Sequence, residues 1–212
     1  MNTNPKAKRI LCFGDSNTWG AQVDSLDKFP VNVRWTGVLQ NLLGQDYEII
    51  EEGLRARTTN IDDPTSPNKN GLTYFRPCVQ THRSVDLCIL WLGTNDLKKR
   101  FNRSAKDIAE ALRELIQTIT GSSMKETKIL LVSSPVVLET STAIEWDFVG
   151  AHEKSLSLGK EIEKIAQEEK VFFVDLAREG ITPDPEEGVH LSAEIHTKVA
   201  EIFNQKIKEI FS

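Results

Sequence analysis

The chain has 212 residues, of which 39% are hydrophobic and 27% are charged, and its formal net charge is -5 at pH 7. This length and balance predict a single soluble globular domain over residues 1–212 and exclude a disordered or low-complexity chain. The negative charge argues against nucleic acid as a partner, because affinity for a polyanion depends on Lys and Arg neutralising phosphates. Lys98, Lys99 and Arg100 form the one tight basic cluster, which we interpret as the solvated start of a helix.

The three cysteines, Cys12, Cys78 and Cys88, are an odd number without the spacing of metal ligands. Cys12 and Cys88 lie in apolar runs, where a free cysteine behaves as a small buried hydrophobe. The apolar run at residues 10–13 is too short for a signal peptide, and no segment approaches the roughly 20 apolar residues of a membrane helix. We therefore expect a cytoplasmic protein with no membrane partner, no bound metal and no cofactor.

The predicted elements alternate between short apolar strands and helices. Residues 10–13 run into Gly14, Asp15, Ser16 and Asn17, a pattern typical of a buried parallel strand that ends in a tight turn. Ser16 therefore lies at the carboxyl end of the first strand, where open α/β sheets place their ligand sites. Strands are predicted at residues 10–13, 47–50, 86–92, 128–132 and 171–176, and helices at residues 34–43, from 104–107 to just before Gly121, 156–169 and 192–211.

Between these elements lie two segments of special interest. Residues 54–77 are polar and rich in turn-forming residues, so we predict a long loop that is functional or contains short helices, followed by a short helix over residues 77–82. Residues 136–152 have poor periodicity, and we interpret them as a lid or part of a substrate wall. Five strands alternating with helices predict an α/β fold, with a parallel sheet wrapped on both faces.

Three predicted strands end in a small or polar residue: Ser16 follows the first, Gly53 the second and Asn95 the third. Because the carboxyl ends of parallel strands meet at one edge, we expect these residues to converge. Glu187 and His190 share one loop before the last helix. A serine needs a base to become a nucleophile, and a histidine needs a third group to fix its tautomer. A backbone N–H and an asparagine amide are suitable donors to an oxyanion.

These residues resemble the SGNH hydrolases, also called GDSL-type esterases and lipases. The resemblance lies in residues 14–17 (GDSN), Gly53, residues 93–96 (GTND) and the loop ending in His190, in that order. It is closer to the arylesterase and acyltransferase branch, whose members have runs similar to residues 33–39 (VRWTGVL), 51–54 (EEGL) and 57–64 (RTTNIDDP).

The resemblance implies a flavodoxin-like, three-layer α/β/α sandwich and a homo-oligomeric enzyme that hydrolyses or transfers small acyl groups from esters. It also implies Ser16 as nucleophile, His190 as base, and an oxyanion hole made by the Ser16 N–H, the Gly53 N–H and the Asn95 side chain. A carbohydrate acetylesterase with the same mechanism, and a catalytically weak binding protein with the same fold, are the alternative functions.

The sequence departs from the family at two positions. Asn17 replaces the Leu of the family name, which predicts a more polar rim for the acyl pocket. Glu187 stands where the family has Asp, three residues before the histidine, and we assign it as the group that orients His190, with Asp184 as the alternative. Lost control of the histidine tautomer lowers turnover about ten-thousandfold, so this assignment bears on rate.

Several other residues receive provisional roles. Asp15 and Asp96 are predicted to tie loops through backbone hydrogen bonds. Arg55, Arg57 and the Thr58-Thr59 pair are predicted to hold the long loop or to meet a partner subunit. The predicted substrate-binding residues are Asn17, Trp19, Phe148 and Val189, with ordinary packing as the alternative for the last three, and the predicted surface or structural histidines are His82, His152 and His196.

Overall fold

The computed structural model describes residues 2–23, 25 and 27–212. Its strands are β1 (Lys8–Gly14), β2 (Tyr47–Gly53), β3 (Leu87–Trp91), β4 (Lys128–Ser133) and β5 (Phe172–Asp175). They form a central parallel sheet in the order β2-β1-β3-β4-β5. This order reverses direction between β1 and β3, as in flavodoxin-like folds, and ligands bind at such switch points. The predicted fold class is therefore confirmed.

Helices cover both faces of the sheet. Alternate residues of β1 point to opposite faces: Leu11 and Phe13 join the core shared with one group of helices, and Ile10 and Cys12 join the other core. The helices are α1 (Ser16–Trp19), α2 (Trp35–Leu43), α3 (Gly71–Thr81), α4 (Ala105–Thr120), α5 (Ser141–Glu145), α6 (Ala151–Glu168) and α7 (Ala193–Phe211). The first face carries α3, α4, α5 and α6, and the second carries α2 and α7.

Two predicted boundaries are wrong. The helix predicted over residues 77–82 begins at Gly71, so residues 71–77 of the predicted loop are helical. Asn70 caps α3 by accepting the Thr73 N–H at 3.2 Å, and Pro77 lies inside the helix. Because proline has no N–H to donate, it is found at the first position of a helix more often than in the interior. The sequence therefore predicts that the helix starts at Pro77. The helix predicted from residue 156 begins at Ala151, directly after Gly150, which has a φ of 75°.

The strand ends of β1, β2 and β3 are level with one another. Gly14, the last residue of β1, pairs with Gly53 of β2 and with Trp91 of β3. A side chain at Gly53 has no room, because a Cβ there would stand 2.2 Å from the Trp19 backbone nitrogen. The loops that follow these three strands therefore start from one edge, with α1 pressed against the end of β2. Among the described residues, no helix is long and apolar enough to span a membrane.

Candidate active site

Ser16 is the first residue of α1, immediately beyond β1. Asp15 caps this short helix, since its Oδ1 accepts the Asn17 N–H at 3.0 Å. Burial raises the pKa of Asp15 to about 6, even though the Asn17 N–H and the charge of His190 lower it. Ser16 is 5% exposed, and its hydroxyl opens onto a cavity at the switch point between β1 and β3. The turn thus fixes the serine at the edge that the sequence predicts.

Asn95 approaches the same cavity from the loop after β3. One hydrogen of its Nδ2 is donated to the Arg57 carbonyl oxygen at 3.1 Å, which leaves the second free to point at a ligand. Arg57 is itself buried and donates through Nη1 to the Gly14 carbonyl at 2.8 Å and to the Glu52 carbonyl. Arg57 therefore ties the ends of β1 and β2 to the loop that orients Asn95.

Asp96 anchors the other side of this loop. Its carboxylate accepts the Thr59 N–H at 2.9 Å and an N–H of Arg103 at 2.9 Å, and it is fully buried. Burial raises the pKa of Asp96, against the lowering effect of the Thr59 and Arg103 hydrogen bonds. The predicted role of Asp96 as a loop tie agrees with these contacts.

Glu187 and His190 form a buried pair on the loop before α7. The Glu187 side chain is fully buried, and its Oε1 contacts His190 Nδ1. Because a carboxylate only accepts hydrogen bonds, this contact places the proton on Nδ1 and leaves Nε2 as the basic nitrogen. The other oxygen, Oε2, accepts the His190 N–H at 2.5 Å and lies 3.4 Å from the Val189 nitrogen. Glu187 therefore holds both the ring and its backbone.

Asp184, the alternative orienting group, does not contact the imidazole. Its Oδ1 accepts the backbone N–H groups of Glu186 and Glu187 at 3.0 and 3.1 Å, and its own N–H donates to the His190 carbonyl at 2.8 Å. Gly188 adopts a φ of 91° and a Cβ there would stand 2.2 Å from the Leu138 carbonyl oxygen. Asp184 thus stabilises the backbone of the loop, and Glu187 is the carboxylate that contacts the His190 ring.

Ser16, Asn95 and His190 line one cavity of about 120 Å³. Within the described residues, no hydrogen bond joins the Ser16 hydroxyl to the His190 ring. In unliganded active sites such a bond is often long and tightens only when substrate binds. Trp146 packs on His190, with ring centroids 5.3 Å apart. The lining residues are Ser16, Arg55, Ala56, Asn95, Lys98, Trp146, Phe148, Val189 and His190.

The four predicted substrate-binding residues divide into two groups. Phe148 and Val189 line the cavity. Asn17 does not line it; it is buried and donates through Nδ2 to the Val189 carbonyl at 3.3 Å, so it secures the histidine loop. Trp19 also lies outside the lining, with its ring centroid 5.5 Å from the Arg55 guanidinium. The polar rim predicted from Asn17 is therefore wrong, because its amide is turned into the fold.

Lys98 and Arg55 are lining residues that the sequence did not predict. The interpretation of Lys98 as part of a solvated helix start is wrong, since it is 9% exposed and faces the cavity. Lys99 and Arg100, by contrast, are exposed. Arg55 donates to the Ser25 carbonyl at 3.2 Å. The cavity lining therefore combines the Ser16 hydroxyl and the Asn95 amide with two cationic residues and an aromatic wall.

One group of side chains elsewhere has the donor types of a metal site. Among the described residues, the donor atoms of Glu52, Cys78 and His82 lie within 4.8 Å of one another. His82 Nε2 is already 2.8 Å from Glu52 Oε1, and the Tyr74 hydroxyl donates to Oε2 at 3.1 Å. Burial raises the pKa of the Cys78 thiol to about 12, which disfavours the thiolate that a metal requires. This group lies outside the cavity.

The family profile described as GDSL-like lipase/acylhydrolase matches residues 12–198. The aryl esterase of M. smegmatis is 38% identical, with a TM-score of 0.90 over 96% of this chain and 99% of that chain. Est24, a carbohydrate acetylesterase from Sinorhizobium meliloti, is 35% identical, with a TM-score of 0.90 over 96% and 99%. No curated protein gives a significant match.

A further structure, a carbohydrate acetylesterase family member from Sinorhizobium meliloti, is 31% identical, with a TM-score of 0.88 over 95% of this chain and 98% of that chain. These relatives support ester hydrolysis as the general activity, and they confirm the family resemblance drawn from the sequence blocks. The chain therefore belongs to the GDSL-like lipase/acylhydrolase family of SGNH hydrolases.

Proposed function

We propose that the protein is a metal-free serine esterase that removes small acyl groups from carboxylic esters through an acyl-enzyme on Ser16. The observation that carries the proposal is the buried Glu187–His190 pair, whose histidine lines the same cavity as Ser16 and Asn95. Nucleophilic catalysis by serine needs this set of a hydroxyl, an oriented imidazole and an oxyanion donor.

In the proposed reaction, Ser16 Oγ bonds to the ester carbonyl carbon as its proton moves to His190 Nε2. The oxyanion is stabilised by the Asn95 amide and the backbone N–H groups of Ser16 and Gly53. Collapse of the intermediate expels the alcohol, which takes the proton from Nε2. Water then attacks the carbonyl carbon of the acyl-enzyme as one of its protons moves to Nε2. Collapse of this second intermediate releases the carboxylic acid, and Ser16 Oγ takes the proton back from Nε2. Glu187 keeps the proton on Nδ1 throughout and stabilises the imidazolium.

The cavity volume favours small acyl groups. About 120 Å³ corresponds to roughly four water molecules at ~30 Å³ each. An acetyl or butyryl group fits this volume, and the wall formed by Trp146, Phe148 and Val189 suits its apolar part. Transfer of the acyl group to an alcohol or to hydrogen peroxide, in place of water, follows from the same intermediate when the acceptor competes with water for this wall.

A carbohydrate acetylesterase is the second candidate, because two of the similar structures carry that description. The mechanism is unchanged, and the difference lies in the alcohol side of the ester. Release of acetate from acetylated sugars, compared with hydrolysis of aryl acetates at the same enzyme concentration, separates the two. Homo-oligomer formation and a cytoplasmic location stay predictions from the sequence.

The test of the mechanism is hydrolysis of 4-nitrophenyl acetate and butyrate by the protein and by Ser16→Ala. We expect the variant to lose at least about a thousandfold in kcat, because the nucleophile is absent. Ser157→Ala removes a hydroxyl on the exposed face of α6 and is the matched control. A fluorophosphonate should form an adduct on Ser16 of the unmodified protein. Equal rates for Ser16→Ala, or no adduct, would favour a binding protein with this fold.

A further inference from the structure

Lys98 is a buried cation in the lining of the candidate active site. It lies between two single turns of 3-10 helix, Asn95–Leu97 and Lys99–Phe101, which turn its side chain into the cavity that Ser16 lines. It is 9% exposed, and its Nζ stands 5.3 Å from the centroid of the Phe148 ring. Charged side chains are seldom buried to this degree without a partner, since removing an ammonium from water is costly.

Within the described residues, Lys98 Nζ makes no hydrogen bond and no ion pair. Two carboxylates, Asp63 and Asp147, attract its charge from nearby, but both are held by Arg100 at 3.5 and 2.8 Å. Asp15 also attracts it, from behind the nucleophile, where its Oδ1 caps α1. Burial and the charge of Arg100 lower the pKa of Lys98. The contact with the Phe148 ring is a weak substitute for a carboxylate.

The rest of the lining adds to the positive charge. Arg55 also faces the cavity, and among the described lining residues there is no Asp or Glu. A small group seated at Ser16 therefore occupies a space of about 120 Å³ that Lys98 and Arg55 also line. The two cations favour an anion, whereas a purely apolar acyl group gains only from the wall of Trp146, Phe148 and Val189.

We infer that the substrates of this site are esters that carry a carboxylate close to the scissile bond, and that Lys98 binds this carboxylate. The inference rests on the proposed esterase function and narrows it to anionic esters. The substrate carboxylate accepts a hydrogen bond from Lys98 Nζ, which has no such acceptor among the described residues. The positive charge of Arg55 adds to the attraction for this carboxylate. Neutral aryl esters then bind through the aromatic wall alone.

The experiment compares kcat/KM for anionic and neutral esters in two matched pairs. In the first pair, 4-nitrophenyl hemisuccinate and 4-nitrophenyl butyrate place the charge on the acyl side. In the second, 3-carboxy-4-nitrophenyl acetate and 4-nitrophenyl acetate place it on the alcohol side. The anionic-to-neutral ratio should fall about 10- to 100-fold in Lys98→Met for at least one pair, the range expected for a hydrogen bond to a charged group.

Two variants control the comparison. Lys99→Met removes the neighbouring exposed ammonium and should leave both ratios unchanged. Lys98→Arg keeps the charge and should retain most of the wild-type ratio. If a folded Lys98→Met changes both ratios by less than about threefold, the inference is overturned. Wild-type turnover of none of the four esters, with no fluorophosphonate adduct, would instead overturn the proposed esterase function.

A measurement on the wild-type protein covers the case in which Lys98→Met does not fold. Succinamate and succinamide differ only in whether one end carries a negative charge, and both are tested as competitive inhibitors of neutral ester hydrolysis. Succinamate, which has one carboxylate for Lys98 and a neutral amide in the place of the ester, should inhibit at least about tenfold more tightly. Equal inhibition constants would contradict the inference, whatever the fate of the variant.

Discussion

Replacement of Glu187 by glutamine tests the part of the site that departs from the family. The substitution keeps the size of the side chain and leaves one oxygen to accept the His190 N–H, which Oε2 now accepts at 2.5 Å. The new NH2 group then faces His190 Nδ1, where Glu187 Oε1 lies in the native chain. Because that group donates, it favours the tautomer with the proton on Nε2, which cannot act as a base.

The expected loss follows from this geometry. A wrong tautomer in a serine–histidine–acid triad lowers kcat about ten-thousandfold, which corresponds to about 5.5 kcal/mol at 1.36 kcal/mol per tenfold change. Binding of the neutral ester involves the wall residues Trp146, Phe148 and Val189 and not the carboxylate, so KM should change little. The loop should persist, because the backbone contacts of Asp184 and the Thr140 hydrogen bond to the Glu187 carbonyl at 2.7 Å do not involve the replaced group.

The assay is kcat and KM for 4-nitrophenyl acetate, with the free energy of unfolding measured alongside in urea. Glu187→Asp is the matched control: it keeps the charge and the accepting oxygens and restores the residue of the family, so its kcat should stay within about tenfold of the wild type, far above Glu187→Gln. A folded Glu187→Gln whose kcat stays within about tenfold of the wild type would refute the assignment of Glu187 as the orienting group.

Two further predictions concern the oxyanion donor and a buried histidine. Asn95→Ala should lower kcat about 100- to 1000-fold for the same ester, the usual loss of one such donor, and a loss under tenfold would remove Asn95 from the proposed oxyanion hole. His196 is fully buried, accepts the Trp35 N–H at 3.3 Å, and burial lowers its pKa from 6.5 to about 4. The unfolded chain therefore takes up a proton between these pH values that the folded chain does not, so acidification should cost up to about 3 kcal/mol of unfolding free energy at this residue. Urea denaturation at pH 7 and pH 4.5 should show a smaller loss in His196→Asn, and identical losses would contradict this reasoning.

The sequence was most informative where chemistry depends on neighbours along the chain. Ser16 follows an apolar strand and a turn, so its position at the sheet edge could be predicted. Glu187 and His190 are three residues apart, and one turn of loop brings them into contact. The convergence of these residues with Asn95 was also predictable, because all strands of the sheet are parallel and their carboxyl ends share one edge.

Other features depend on packing that no local pattern records. The first turns of α3 could not be predicted, because Pro77 lies inside this helix and a proline normally indicates where a helix starts or ends. The inward position of Lys98 depends on two short turns and on Arg100, which binds the nearby carboxylates. Neither feature is visible in the sequence, so the charge of Lys98 predicts an exposed side chain. Asn17 occupies the position of the family's Leu next to Ser16, which predicts a place at the pocket rim. In the fold, its amide donates a hydrogen bond to the Val189 carbonyl oxygen.

The reversal of strand order between β1 and β3 has a consequence for the folding of the active enzyme. Ser16 and Asn95 are supplied by the two strands on either side of that reversal, and His190 arrives after the last strand of the sheet. A chain in which the sheet or the loop after its last strand is not yet folded therefore holds these three side chains apart. Under the proposed mechanism, turnover therefore requires the complete sheet together with its final loop, and we expect esterase activity during refolding to appear only with the last folding step.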